Sequence, residues 1–204
     1  MNLFILSLIH SEIVESMMDK HVPKIILEAV QMLSVAKRLV DPTDPYNESL
    51  YGISHINHPV TKWCRASREN FVWTLDFVDA LHAEWKLRFN HPAEKVHRSY
   101  PLACALRERI PCATQFAQSG LTPFALAMPD AFKDPGGDAV KSYRAYYMSP
   151  QKQAIASWKA HRGVPAWYTV NTPAAPEKHP KAKKSIHAAL AVKLKIDKRL
   201  LKVH

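Results

Sequence analysis

His21, Lys24, Glu28 and Gln31 recur at helical spacing near the start of the chain. With His21 at 0° on a helical wheel, Lys24 falls near 300°, Glu28 near 340° and Gln31 near 280°, at ~100° per residue. One helix therefore aims an imidazole, an amine, a carboxylate and an amide into a sector of about 80°. A carboxylate beneath a sugar stabilises an oxocarbenium-like cation or activates an attacking group. An amine that can lose its proton forms a Schiff base with the same carbon. On this reading Glu28 is the stabilising carboxylate. Lys24 is the nucleophile or a phosphate contact, and His21 protonates a leaving base or holds a phosphate. The plainer alternative is a solvated face with an i,i+4 Lys24–Glu28 pair. Two features weigh against it: the face mixes chemical types, and it borders the apolar stripe of the same helix.

Two further clusters carry polar chemistry. The run from Tyr51 to Phe71 holds His55, Asn57, His58, Lys62, Arg65 and Arg68. Its spacing matches no zinc pattern, with or without His91 and His97, so no metal is expected. Donors at a helix start suit a phosphate; a helix cap with a core Trp63 is the alternative. The third cluster interleaves aromatics and cations, as Tyr143-Arg144-Ala-Tyr146-Tyr147, then Trp158-Lys159, then Trp167-Tyr168. That mixture suits stacked bases and their phosphates, with Tyr143, Arg144, Tyr147 and Trp167 as contacts. Tyr143, Tyr147 and Trp158 are equally suited to a core.

These residues need a frame, and the pattern predicts helices. Val22, Ile25, Ile26, Ala29, Leu33, Ala36 and Val40 form one stripe over 19–40. Asp19 is placed to cap it, Pro23 lies in its first turn, and Asp41-Pro42 ends it. His58-Pro59 predicts a short helix to about Ala66. Ser67 is placed to cap a longer one to about Phe89, burying Phe71, Leu75, Val78, His82, Trp85 and Phe89. Further helices are expected near 99–109, from Asp138 to Tyr147, and from Ser149-Pro150 to about His161. No βαβ alternation or internal repeat is present. The expected fold is mainly α: one compact helical domain over 1–170, then a Pro/Ala/Lys-rich linker and basic tail over 171–204.

Composition narrows the function. The 204 residues are 47% hydrophobic and 23% charged, which are globular proportions. Five glycines among fifteen prolines argue against a many-turned β fold and a Gly-rich phosphate loop. Cys64, Cys104 and Cys112 are too few and scattered for a disulfide framework, and suit a reducing compartment. No apolar run reaches the ~20 residues of a membrane span. The apolar start, Met1 to His10, lacks a basic leader and a cleavage site, and reads as a buried segment of an intracellular protein. The net charge is +10, and residues 171–204 hold nine Lys/Arg against Glu177 and Asp197, so +7 of it sits there. A basic arm meets polyanions, or merely keeps the chain soluble.

Several runs resemble an uncharacterised group of phage and large-virus proteins. They are Asp19-Lys20-His21-x-x-Lys24-x-x-x-Glu28-x-x-Gln31, His55-x-Asn57-His58-Pro59-x-x-x-Trp63-x-Arg65, Leu121-Thr-Pro123 to Asp130, Tyr143-Arg144-x-Tyr146-Tyr147, and Val164-Pro165-x-Trp167. The resemblance spans residues 1 to about 168. That group is distantly similar to the pyrimidine-dimer DNA glycosylases of the phage endonuclease V type. Those are small, basic, all-α enzymes with a His and a catalytic Glu seven residues apart on an early helix, as His21 and Glu28 are here. They have an Arg immediately before the Glu and another three residues after it; this chain has Leu27 and Gln31. Their nucleophile is the amino group of a Thr exposed by loss of Met; here residue 2 is Asn2, a large residue that leaves Met1 in place.

The resemblance implies a DNA-acting N-glycosylase, with or without an abasic-site lyase step, in viral DNA repair or modification. It would be a hydrolase or lyase with no cofactor, a monomer, in a bacterial host's cytoplasm or a eukaryotic host's cytoplasm or nucleus. Gln31, His55, Asn57, His58, Lys62, Arg65 and Arg68 would hold DNA beside Tyr143, Arg144, Tyr147 and Trp167. A duplex substrate requires the base flipped out. Two other classes stay open: a different nucleotide- or DNA-modifying enzyme, and a non-catalytic DNA-binding protein. Glu28 amid cations separates the enzymes from the simple binder. The tail carries its own prediction. Nine cations release counterions from any nucleic acid, so deleting 171–204 is expected to weaken DNA binding and flatten its salt dependence. A titration of affinity against salt checks this, and an unchanged slope assigns the tail another role.

Overall fold

The computed structural model describes residues 1–159 and 161–169. The linker and tail expected over 171–204 lie outside them. Among the described residues the fold is helical, without strands. Seven α-helices run in order: α1 (His10–Ser16), α2 (His21–Val40), α3 (Pro59–Cys64), α4 (Arg68–Arg88), α5 (Tyr100–Arg107), α6 (Ala139–Tyr147) and α7 (Pro150–Gln153). None is long and apolar enough to cross a membrane.

Local chemistry starts several of these helices as the sequence predicts. His58 caps α3, its Nδ1 accepting from the Val60 N–H, with Pro59 at the first helical position. The Ser67 hydroxyl accepts from the Asn70 N–H at the head of α4, and Asp138 accepts from Lys141 N–H at the head of α6. The pair α2 and α4 forms the centre. α2 also packs on α3 and α5, so its buried surface is wider than one stripe: Val30, Met32 and Val35 are buried with Val22, Ile26 and Leu33. What remains for the polar residues of α2 is a narrow strip between neighbours. The chain start lies along that strip, with Asn2 to Ser7 buried.

Two expectations are corrected. Asp19 does not cap α2; the position before the helix is Lys20, with no side-chain cap. The Asp19 carboxylate instead accepts from Ser157 Oγ at 2.8 Å and from the Lys159 N–H at 3.1 Å. The same contacts explain why α7 stops at Gln153 rather than near His161. Beyond it, the Ser157 carbonyl accepts from the Asp19 N–H at 2.9 Å, and Trp158 Nε1 donates to the Ser16 carbonyl at 3.1 Å. Backbone groups spent on these long-range bonds are lost to a continuing helix.

Arg88 anchors this junction. Its side chain is fully buried, and every N–H of the guanidinium has an acceptor. Nε donates to Glu84 Oε1 at 2.7 Å. Nη1 donates to the Met17 carbonyl and, at 3.4 Å, to Asp19 Oδ1; Nη2 donates to the carbonyls of Val14 at 2.9 Å and Glu15 at 3.2 Å. Arg162 closes the network from the far end of the chain, with Nη2 2.7 Å from Glu84 Oε2. Removing one member of a buried ionic network strands its partners. Arg88→Ala is therefore expected to cost about 3–5 kcal/mol, whereas Lys62→Ala on the exposed side of α3 is expected to change stability by less than about 0.5 kcal/mol. Urea denaturation of both variants measures the contrast.

Candidate active site

A polar cavity of about 160 Å³ opens where the chain start, α2 and α7 meet. Its lining includes Met1, Asn2, Phe4, His21, Lys24, Glu28, Tyr146 and Lys152. His21, Lys24 and Glu28 do share this one place, because successive turns of α2 carry them past the gap between its neighbours.

Glu28 is the carboxylate of the cavity, with its side chain only 13% exposed. Oε2 accepts from the Asn2 N–H at 3.1 Å and lies 3.7 Å from the Met1 main-chain amine. Oε1 lies 3.5 Å from Lys24 Nζ, an i,i+4 pair whose lysine is 65% exposed. The Asn2 side chain fixes the chain start: Nδ2 donates to the Ala127 carbonyl at 2.8 Å, and Oδ1 accepts from the N–H groups of Leu3 and Phe4. This local turn carries Phe4 at φ 49°, a left-handed conformation costly for a bulky side chain. The Phe4 ring is thereby laid on His21, with centroids 4.5 Å apart and planes 12° from parallel.

His21 is buried as a neutral ring. Burial, then the nearby charges of Lys152 and Lys24, push its pKa down to about 3. Its Nδ1 is 2.5 Å from the Tyr147 hydroxyl. That hydroxyl also accepts from the Met18 N–H at 3.1 Å, and among the described residues His21 Nδ1 is the acceptor within reach of its own proton. The imidazole proton is then on Nε2. A ring of this kind is not an ammonium-like proton donor at neutral pH; it supports Phe4 and keeps a positive charge out of the cavity.

Lys152, from the first turn of α7, was not singled out by sequence. Its Nζ lies 4.6 Å from the Phe4 ring centre and 5.1 Å from that of Tyr146. Burial, then the Lys24 charge, lowers its pKa, while Glu28 acts against the shift. The only local hint was a lysine following the Ser149-Pro150 helix start.

The other expected contacts are dispersed. His58 feels Glu28 through space, though burial, the chain-start charge and His55 together hold its pKa below the usual value. Gln31 is half-buried one turn past Glu28; His55, Asn57 and Lys62 are exposed. Arg65 donates to the Ile56 carbonyl at 2.6 Å and braces its own loop. Arg68 lies on a separate depression with Trp73, Asp76 and Leu121. Arg144 donates to the Leu6 carbonyl at 2.9 Å, with its guanidinium 5.0 Å from the Trp167 ring centre. Tyr143 and Tyr147, expected at DNA, are core side chains with 1% and 0% exposure, since α6 turns them under the chain start. His91 and His97 pack around Trp85. Among the described residues no three His, Cys, Asp or Glu side chains gather closely enough to hold a metal ion.

The chain matches no protein-family model, no curated protein and no solved structure.

The neutral state of His21 has a pH consequence. Unfolded, the ring takes a proton near pH 6.5; folded, it does so only near pH 3. Between those values the unfolded state binds more protons, so stability falls as pH drops below 6.5, by at most about 1.4 kcal/mol per pH unit from this group. His21→Gln cannot titrate, and its unfolding free energy is expected to fall less steeply from pH 7 to pH 4 than that of the wild type. Parallel curves from urea titrations would show that His21 is not buried neutral.

Proposed function

We propose that this chain is a DNA-acting N-glycosylase on a damaged or modified base. The single observation that carries the reading is Glu28: a mostly buried carboxylate in a polar cavity, with the amines of Met1, Lys24 and Lys152 around it. A cationic sugar is stabilised by such a carboxylate in a site from which water is partly excluded. The surrounding cations suit the phosphates on either side of that sugar. The exposed position of Lys24 suits a phosphate contact. Neutral His21, stacked on Phe4, borders the cavity without adding a charge to it.

A free nucleotide is the second reading of the same cavity. The burial of Tyr143 and Tyr147 favours it, because it removes two of the aromatic contacts expected for an extended strand. Affinity for a duplex against that for a mononucleotide separates the two.

Glu28→Gln tests the role of the carboxylate. The amide oxygen can still accept from the Asn2 N–H, so the chain start keeps its anchor, but the negative charge is gone. With DNA carrying modified bases, base release is expected to fall by about 100-fold or more, while DNA affinity holds or rises. Chromatography of released bases and a binding titration measure both. Full base release by Glu28→Gln, on a substrate that the wild type processes, overturns the reading.

A further inference from the structure

Three amines surround Glu28, and their surroundings differ. Met1 N and Lys24 Nζ both lie within ion-pair distance of the carboxylate, at 3.7 and 3.5 Å. Each balances the Glu28 charge, and each would have to leave that pairing to act as a nucleophile. Lys152 has no carboxylate within ion-pair distance among the described residues. The residue is half-buried, and its Nζ lies over the Phe4 and Tyr146 rings. Cation–π contact compensates for lost hydration only in part, and desolvation favours the neutral amine. The direction of its pKa agrees: downward, from burial first and the Lys24 charge second.

Position supports the same choice. Lys152 comes from α7 and Glu28 from α2, and both line the one cavity. A nucleophile and a charge-stabilising carboxylate are both in reach of one sugar carbon in such a layout. The α7 turn is held by backbone bonds to Ser149 and Pro150, and Lys152 Nζ itself makes no hydrogen bond among the described residues.

Building on the glycosylase reading, we infer that Lys152 is the amine that attacks the sugar C1′. After its ammonium gives a proton to water, Lys152 Nζ forms a bond to C1′ as the C1′–N bond to the base breaks, and the base departs with that electron pair. One Nζ proton goes to the departing base. The nitrogen lone pair then opens the C1′–O4′ bond, O4′ takes a proton from water, and a protonated imine joins Lys152 to C1′. Loss of a C2′ proton expels the 3′ phosphate and breaks the strand. Glu28 offsets the positive charge that builds on the sugar.

The test uses the full-length protein and a duplex with one preformed abasic site, with borohydride present. The abasic aldehyde condenses with the amine and releases water, and hydride delivered to C1′ makes the imine a stable secondary amine. Peptide mass spectrometry of the trapped product is expected to locate the sugar on Lys152. Lys152→Arg, which keeps the charge over the two rings, is expected to lose at least 100-fold of the trapped product while its thermal melting stays near that of the wild type. The wild-type map decides the matter even if that variant fails to fold. An adduct on Met1 or Lys24 overturns the assignment of Lys152 and leaves the glycosylase reading standing. Release of modified bases with no adduct does the same. Neither base release nor an adduct overturns both.

Discussion

The buried Arg88 guanidinium is the interaction on which the rest of the architecture depends. It gathers the carbonyls that end α1, the carboxylate that precedes α2 and the Glu84 carboxylate of its own helix. A charge so deeply buried is costly unless every donor is satisfied. Here each donor is, and satisfying them fixes the corner between α1 and α2. Asp19 passes the constraint on. Having one oxygen near Arg88, it also holds Ser157 and Lys159, which brings the segment after α7 against the start of α2. Lys152 and His21 are therefore neighbours because of a salt-bridge network that neither of them joins.

The cavity is the second consequence of that closure. Residues 1–4 enter as an irregular segment whose backbone is held by Glu28 and by the Asn2 side chain. That arrangement imposes the positive φ on Phe4 and sets its ring parallel to His21. Tyr147 holds the other side of the imidazole. The result is one carboxylate among several amines, with a neutral aromatic wall beside it. Had His21 been charged, the cavity would carry a further cation and a weaker hold on the buried Tyr147 hydroxyl. Strain at Phe4 and the loss of hydration at Lys152 are both offset by packing elsewhere, as is common at sites that bind or react.

Much of the framework was legible in local sequence. The caps at His58, Ser67 and Asp138 act within three residues of themselves, so side-chain type and spacing are sufficient to place α3, α4 and α6. The register of α2 was equally local, since 3.6 residues per turn puts His21, Lys24 and Glu28 on one side in any surroundings. α1 carried no such signal: it is seven residues long and has no side-chain cap. The length of α7 was misread for a different reason. Nothing between Gln153 and His161 forbids a helix; the Ser157 carbonyl and the Lys159 N–H are claimed by Asp19, far away in sequence.

Burial is where local reading ended. Tyr143 and Tyr147 belong to an aromatic-basic run that suits a nucleic-acid surface, yet α6 faces the chain start and encloses both. Asn2 and Lys152 carry no pattern that marks them: Asn2 reaches Glu28 across 26 residues of sequence and Ala127 across 125, and Lys152 reaches Phe4 only when the chain start and α7 close together. Sequence alone thus determined the helical class and the grouping of His21, Lys24 and Glu28, because periodicity and capping act over a few residues. The tertiary structure alone decided which amines surround the carboxylate, which are paired and which ring is neutral, because proximity and loss of hydration depend on the whole packed chain.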